Sequence, residues 1–169
     1  LSWLSSLSAS SQSVTVVHLE GPILMEGRGG RSIRARPVVQ LLRALRMSDS
    51  VRAVVLHVNS PGGSAVASDL IWREVDLLRG EKPVVASFED VSASGGYYLS
   101  APAHEIIARP GTLTGSIGVF GGKLVVGEGM RKVGVTTQAI VAAPNAAVFS
   151  PSRPFTDSQR VRFRASMER

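Results

Sequence analysis

Cysteine is absent from the 169 residues. That excludes disulfides, thiol nucleophiles and thiolate metal sites, and leaves the compartment open. Lysine is scarce: Lys82, Lys123 and Lys132 stand among 19 basic residues. Aromatics make up only 5% and do not interleave with the arginines, so the net charge of +6 does not predict a nucleic-acid surface. A basic face towards an anionic membrane fits that charge better. No apolar run approaches the ~20 residues of a spanning helix. The Gly27-Arg28-Gly29-Gly30-Arg31 stretch lacks the lysine and spacing of a phosphate-binding loop and reads as a turn or flap. Residues 1–13 are serine-rich, with no basic segment before their short apolar part, and read as a linker or remnant rather than a signal peptide. The chain does not begin with methionine, which is expected of a fragment or a processed product. Residues 14–169 form one domain, long enough to bury a core.

What is present alternates between strand and helix patterns. Apolar runs over 14–19, 51–58 and 83–88 read as strands, the second with both faces covered. Shorter strands are expected over 106–108 and 135–141, and a strand or turn over 114–120. Helical periodicity covers 35–47, 64–78, a segment from 97, and 124–133. Residues 157–169 are polar and helical, with Thr156 as N-cap. Lys82, just before a strand, reads as a solvated end residue. This alternation predicts an α/β fold with a mainly parallel sheet flanked by helices.

Two strand-to-helix turns carry the chemistry. Ser92-Ala93-Ser94-Gly95-Gly96-Tyr97-Tyr98 places a serine where a strand ends and a helix begins. Free N–H groups there would face a developing oxyanion. Asn59-Ser60-Pro61-Gly62-Gly63-Ser64 is a second such turn. One crossover unit separates them, so both reach the same sheet edge. The Gly62 and Gly95 N–H groups would then form a two-donor oxyanion hole beside the Ser94 hydroxyl.

With these two turns the chain resembles the signal peptide peptidase A (protease IV) family of serine proteases, which has a ClpP/crotonase-like fold of repeated ββα units. Two further segments are similar to the family's: Thr112-Leu113-Thr114-Gly115-Ser116-Ile117-Gly118-Val119 and Phe149-Ser150-Pro151-Ser152-Arg153-Pro154-Phe155-Thr156. The resemblance implies that Ser94 is the nucleophile, that Gly62 and Gly95 donate to the oxyanion, and that Ser116 orients the general base. It implies no metal or organic cofactor. Implied substrates are cleaved signal peptides and other hydrophobic peptides, handled by a homo-oligomer. Anchoring would be at the extracytoplasmic side of a bacterial inner membrane or an organelle equivalent, through a segment absent from this chain.

The family's base is a lysine, made neutral by burial. Its position falls near Ala146, within Ala142-Ala143-Pro144-Asn145-Ala146-Ala147. The chain therefore looks like the C-terminal, serine-bearing half of a long tandem-repeat member, with the lysine supplied by an upstream repeat. Replacement of a lysine within this chain is the alternative. His104, ten residues after Ser94, is the histidine to weigh for a triad; His18 and His57 lie in strands and read as structural. Two other functions stay open: a crotonase-type acyl-CoA enzyme, and an incomplete half-repeat that supports assembly or holds peptides.

Overall fold

A computed structural model describes residues 12–27, 30–143 and 145–168. Most of the N-terminal linker, Arg28 and Gly29 of the glycine-rich loop, and Pro144 lie outside the described residues. The chain divides into two compact units, Leu1–Gly118 and Val119–Arg169.

In chain order the first unit contains β1 (Ser13–Glu20), β2 (Ile23–Leu24), β3 (Ile33–Arg34), α1 (Ala35–Met47), β4 (Val51–Ser60), α2 (Ala65–Arg79), β5 (Val84–Ala93), α3 (Gly95–Ser100), β6 (Glu105–Ile107) and β7 (Leu113–Gly115). The main sheet runs β1-β4-β5-β6, and β7 also pairs with β5. Every pairing is parallel. Alternate residues are buried along the middle of β4 and the first half of β5: Val54, Leu56 and Val58, and Val84, Ala86 and Phe88. They form one core with Leu42 of α1, Ile71, Val75 and Leu78 of α2, and Leu99 of α3. The alternate β4 residues Val55, His57 and Asn59 are only half-buried. Full cover on both faces, expected from the apolar run, is therefore not what this unit provides.

Helix ends are held by specific groups. Ser64 caps α2 by accepting the Ala67 N–H at 3.3 Å. Lys82 is half-buried rather than solvated: its Nζ donates to the carbonyls of Leu45 and Ser48 at the C-terminal end of α1. A cation there satisfies orphan carbonyls and opposes the negative end of the helix dipole. Arg43 of α1 donates at 2.6 Å to Glu74 of α2, whose side chain is almost fully buried.

β4 and β5 lose register between Val58 and Ser60. There the Asn59 Oδ1 accepts the Val91 N–H at 3.3 Å, so a side chain replaces a missing ladder bond. Beyond this irregularity Ser60 pairs with Ser92, and the two strands end side by side.

The second unit contains α4 (Gly127–Lys132) and α5 (Asp157–Met167). Thr156 and Gln159 form a reciprocal capping box on α5. Phe163 stacks on Phe155 at 5.2 Å and meets Phe149 edge-on at 5.8 Å. The Lys123 Nζ sits 4.3 Å from the Phe155 ring centroid and donates to the Val148 carbonyl at 2.8 Å. The helix expected over 124–133 is shorter, and no strand forms over 135–141. Those residues are exposed, with no ladder partner among the described residues. An alternating pattern alone does not make a strand.

Candidate active site

β5 delivers Ser94 to the mouth of α3. Its backbone is at φ 49°, ψ −116°, a region that L-residues rarely adopt. Among the described residues only one other non-glycine residue has positive φ: Ser116, at 51°. Strain of this kind costs about 1–3 kcal/mol and persists only where surrounding contacts impose it. Here the contacts are visible. The Ser94 N–H donates to the Gly115 carbonyl at 2.8 Å, and the Tyr98 N–H donates to the Ser94 carbonyl at 2.9 Å. Ala93 pairs with Gly115, so Ser94 and Ser116 each follow a residue of one ladder rung. Gly115 is itself left-handed at φ 81°, and with Ser116 it ends β7, so the stretch expected as a strand or turn as far as residue 120 leaves the sheet here.

The Gly62 turn meets the Ser94 turn directly. A Cβ on Gly62 would lie 2.8 Å from both the Gly95 nitrogen and the Ser94 Cβ. Gly62 also sits at φ 95°, so only glycine fits there. A Cβ on Gly95 would overlap the Ser68 Oγ and lie 3.0 Å from the Ile23 Cδ1. Gly95 opens α3, so its N–H has no intrahelical acceptor.

The Gly62 N–H is already engaged, donating to the buried Ser60 Oγ at 3.1 Å. To meet an oxyanion it must leave that hydroxyl. The adjacent Gly63 N–H forms no hydrogen bond among the described residues. Ser60 was not singled out by sequence reasoning, although a serine oxygen accepting the N–H two residues on is a familiar local turn. Ser92, its ladder neighbour, is also fully buried, and its Oγ has no partner.

No histidine or lysine of the first unit reaches Ser94. His104 Nδ1 accepts the Val84 N–H at 3.1 Å, which places it at the start of β5. Ser94 lies at the other end of this ten-residue strand, about 30 Å away at the usual rise per residue. Lys82 stands at the same far end. His57 pairs with Ser87, roughly 20 Å or more back along the ladder. Its Nε2 is 3.5 Å from Glu89, and its ring meets His18 edge-on at 5.2 Å. These groups line a shallow concavity of about 350 Å³ with Glu20, Arg31 and Asn59, and Ser94 is not part of it. In the second unit Ala146 lies in an exposed turn, its N–H donating to the Ala143 carbonyl at 3.0 Å. A methyl group there has nothing to accept a proton.

The arrangement joins a strained hydroxyl to a glycine turn and a short helix's first N–H, as nucleophilic acyl transfer requires. The family model described as peptidase family S49 matches residues 76–169. The chloroplastic serine protease SPPA of Arabidopsis thaliana is 40% identical over 126 residues, covering 75% of this chain and 18% of that protein. Protease 4 of Salmonella typhi is 38% identical over 136 residues, covering 80% of this chain and 22% of that protein. The chain thus spans about a fifth of these relatives' length. A membrane-bound stomatin-specific protease, solved as a serine-to-alanine variant, superposes with a TM-score of 0.52 at 20% identity, over 82% of this chain and 58% of that one. That likeness bears on the fold, and the α/β architecture with a mainly parallel sheet flanked by helices, implied by the resemblance, is the one found here.

Proposed function

This chain belongs to peptidase family S49, and from that premise we propose that it carries the nucleophile half of a serine endopeptidase site. The Ser94 Oγ attacks the peptide carbonyl, and an acyl-enzyme forms as the amine leaves. The tetrahedral oxyanion is met by the Gly95 N–H and by the Gly62–Gly63 turn. Either the Gly62 N–H is released from Ser60, or Gly63 supplies the second donor. A lysine from outside this chain, on an upstream repeat or another protomer of a homo-oligomer, takes the serine proton and returns it to the leaving amine. Ser116, one residue beyond the Ala93–Gly115 rung, orients that lysine. Burial of the lysine on assembly would keep it neutral enough to act as a base. Substrates are cleaved signal peptides and similar hydrophobic peptides, met at the extracytoplasmic face of a membrane.

One observation carries this reading. Ser94 is held in a strained backbone against the Gly62 turn, yet its own unit offers no lysine or histidine within reach. The test is labelling by a fluorophosphonate probe from pH 7 to 10, with Ser94→Ala beside it. We expect little labelling of the isolated chain, and strong labelling, lost in Ser94→Ala, when the lysine-bearing repeat is added. Strong Ser94-dependent labelling of the isolated chain would overturn the upstream repeat as the source of the base and assign it to this chain or its homo-oligomer. No labelling under either condition would favour the half-repeat that only assembles or holds peptides, the reading that the engaged Gly62 N–H supports.

A further inference from the structure

We propose that Ile23, which no motif marks, is the positioning residue for both sides of the oxyanion site. The inference rests on the reading of Ser94 as nucleophile with the Gly62–Gly63 turn and Gly95 as donors.

Ile23 lies in the two-residue strand β2 and is fully buried. Its N–H donates to the Gly62 carbonyl at 2.9 Å, and its carbonyl accepts the Ser64 N–H at 2.8 Å. The two bonds straddle Gly63, which bridges to Ile23 in parallel. The main chains approach so closely that a Cβ on Gly63 would overlap the Ile23 carbonyl. The backbone of Ile23 thus fixes one turn of the site.

Its side chain fixes the other. The Ile23 Cδ1 lies 3.0 Å from where a Cβ would stand on Gly95. Ser68, anchored by its hydroxyl to the Ser64 carbonyl at 2.9 Å, closes the remaining side of Gly95. One residue therefore grips the Gly62–Gly63 turn through its peptide groups and buttresses Gly95 through its terminal methyl. Donors to an oxyanion act only when held in place beforehand, and a shift of about 1 Å in a reacting geometry can cost ~100-fold in rate. β2 is itself steadied by pairing with β3, where the Ile33 N–H donates to the Pro22 carbonyl at 3.0 Å.

Ile23→Val tests this directly, because it removes the methyl that faces Gly95 and keeps both main-chain bonds. Ile33→Val is the control: it deletes the same methyl from the paired strand of the same core. Both are made in the whole protein, and peptide hydrolysis, fluorophosphonate labelling rate and melting temperature are measured. The expected result is that Ile23→Val lowers kcat and the labelling rate about tenfold, with KM within about twofold. Ile33→Val should lower the melting temperature similarly and leave kcat near the parent value. Ile23→Met, which returns a distal methyl, should recover part of the rate. Equal rates for Ile23→Val and the parent, or equal losses in both valine variants, overturn the inference while leaving Ser94 as nucleophile. A parent protein that neither hydrolyses peptide nor labels overturns the Ser94 reading, and this inference with it.

Discussion

At the residue scale, Ser94 sets function against stability. Its φ of 49° and ψ of −116° suit glycine, and a serine holds them only under constraint. Ser94→Gly should therefore stabilise the first unit by about 1 kcal/mol after glycine's own entropic cost. Ser94→Ala keeps the strained backbone and should melt near the parent temperature. A thermal melt of the three proteins checks the order. Tyr98 gives a second residue-level expectation. Its hydroxyl donates to the Asp69 Oδ1 at 2.9 Å, and this bond raises the phenol's pKa above its usual value, with smaller contributions from burial and from the Asp69 charge. A raised folded-state pKa means that the bond's contribution to stability is complete below the unfolded pKa of about 10 and is lost as pH rises through the higher folded value. Ultraviolet titration of the phenolate should show one tyrosine ionising late, and Asp69→Asn should bring it earlier.

At the element scale, length and periodicity decided what could be read from the sequence. α1, α2, β4 and β5 each present a long apolar period, and the expected bounds differ from the observed ones by a few residues. β2 and β3 have two residues each, too few for any period, so the clamp on the Gly62–Gly63 turn was invisible. Lys82 was misread because the carbonyls it caps lie more than thirty residues away in sequence. The strand expected over 135–141 failed for want of a neighbour to pair with. Ser94 and Gly62 were legible because strand-to-helix turns are local, and their contact follows from one crossover unit. The grip of Ser60 on the Gly62 N–H is equally local, but nothing in a Ser-Pro-Gly sequence distinguishes it from an open turn. α5 shows the local case most plainly: Thr156 caps its N-terminus as the sequence pattern predicts, and Gln159 completes the box. Thr156→Ala should cost about 1 kcal/mol, read as a lower melting temperature of the second unit, with Thr156→Ser near neutral.

At the scale of the whole molecule, the main sheet is parallel throughout and contains no hairpin. No strand in it meets its partner across a tight turn. Ser13 pairs with Val51, and Val54 with Val84, so each central rung closes a loop tens of residues long before it gains a contact. The loop-closure entropy falls early and the reward comes late. Refolding from denaturant should therefore take milliseconds to seconds or longer, with β1, β4 and β5 acquiring amide protection together rather than in sequence. Pulse-labelling hydrogen exchange would read that order. During this interval the unpaired edges of the three strands face solvent, which makes the refolding yield fall as protein concentration rises.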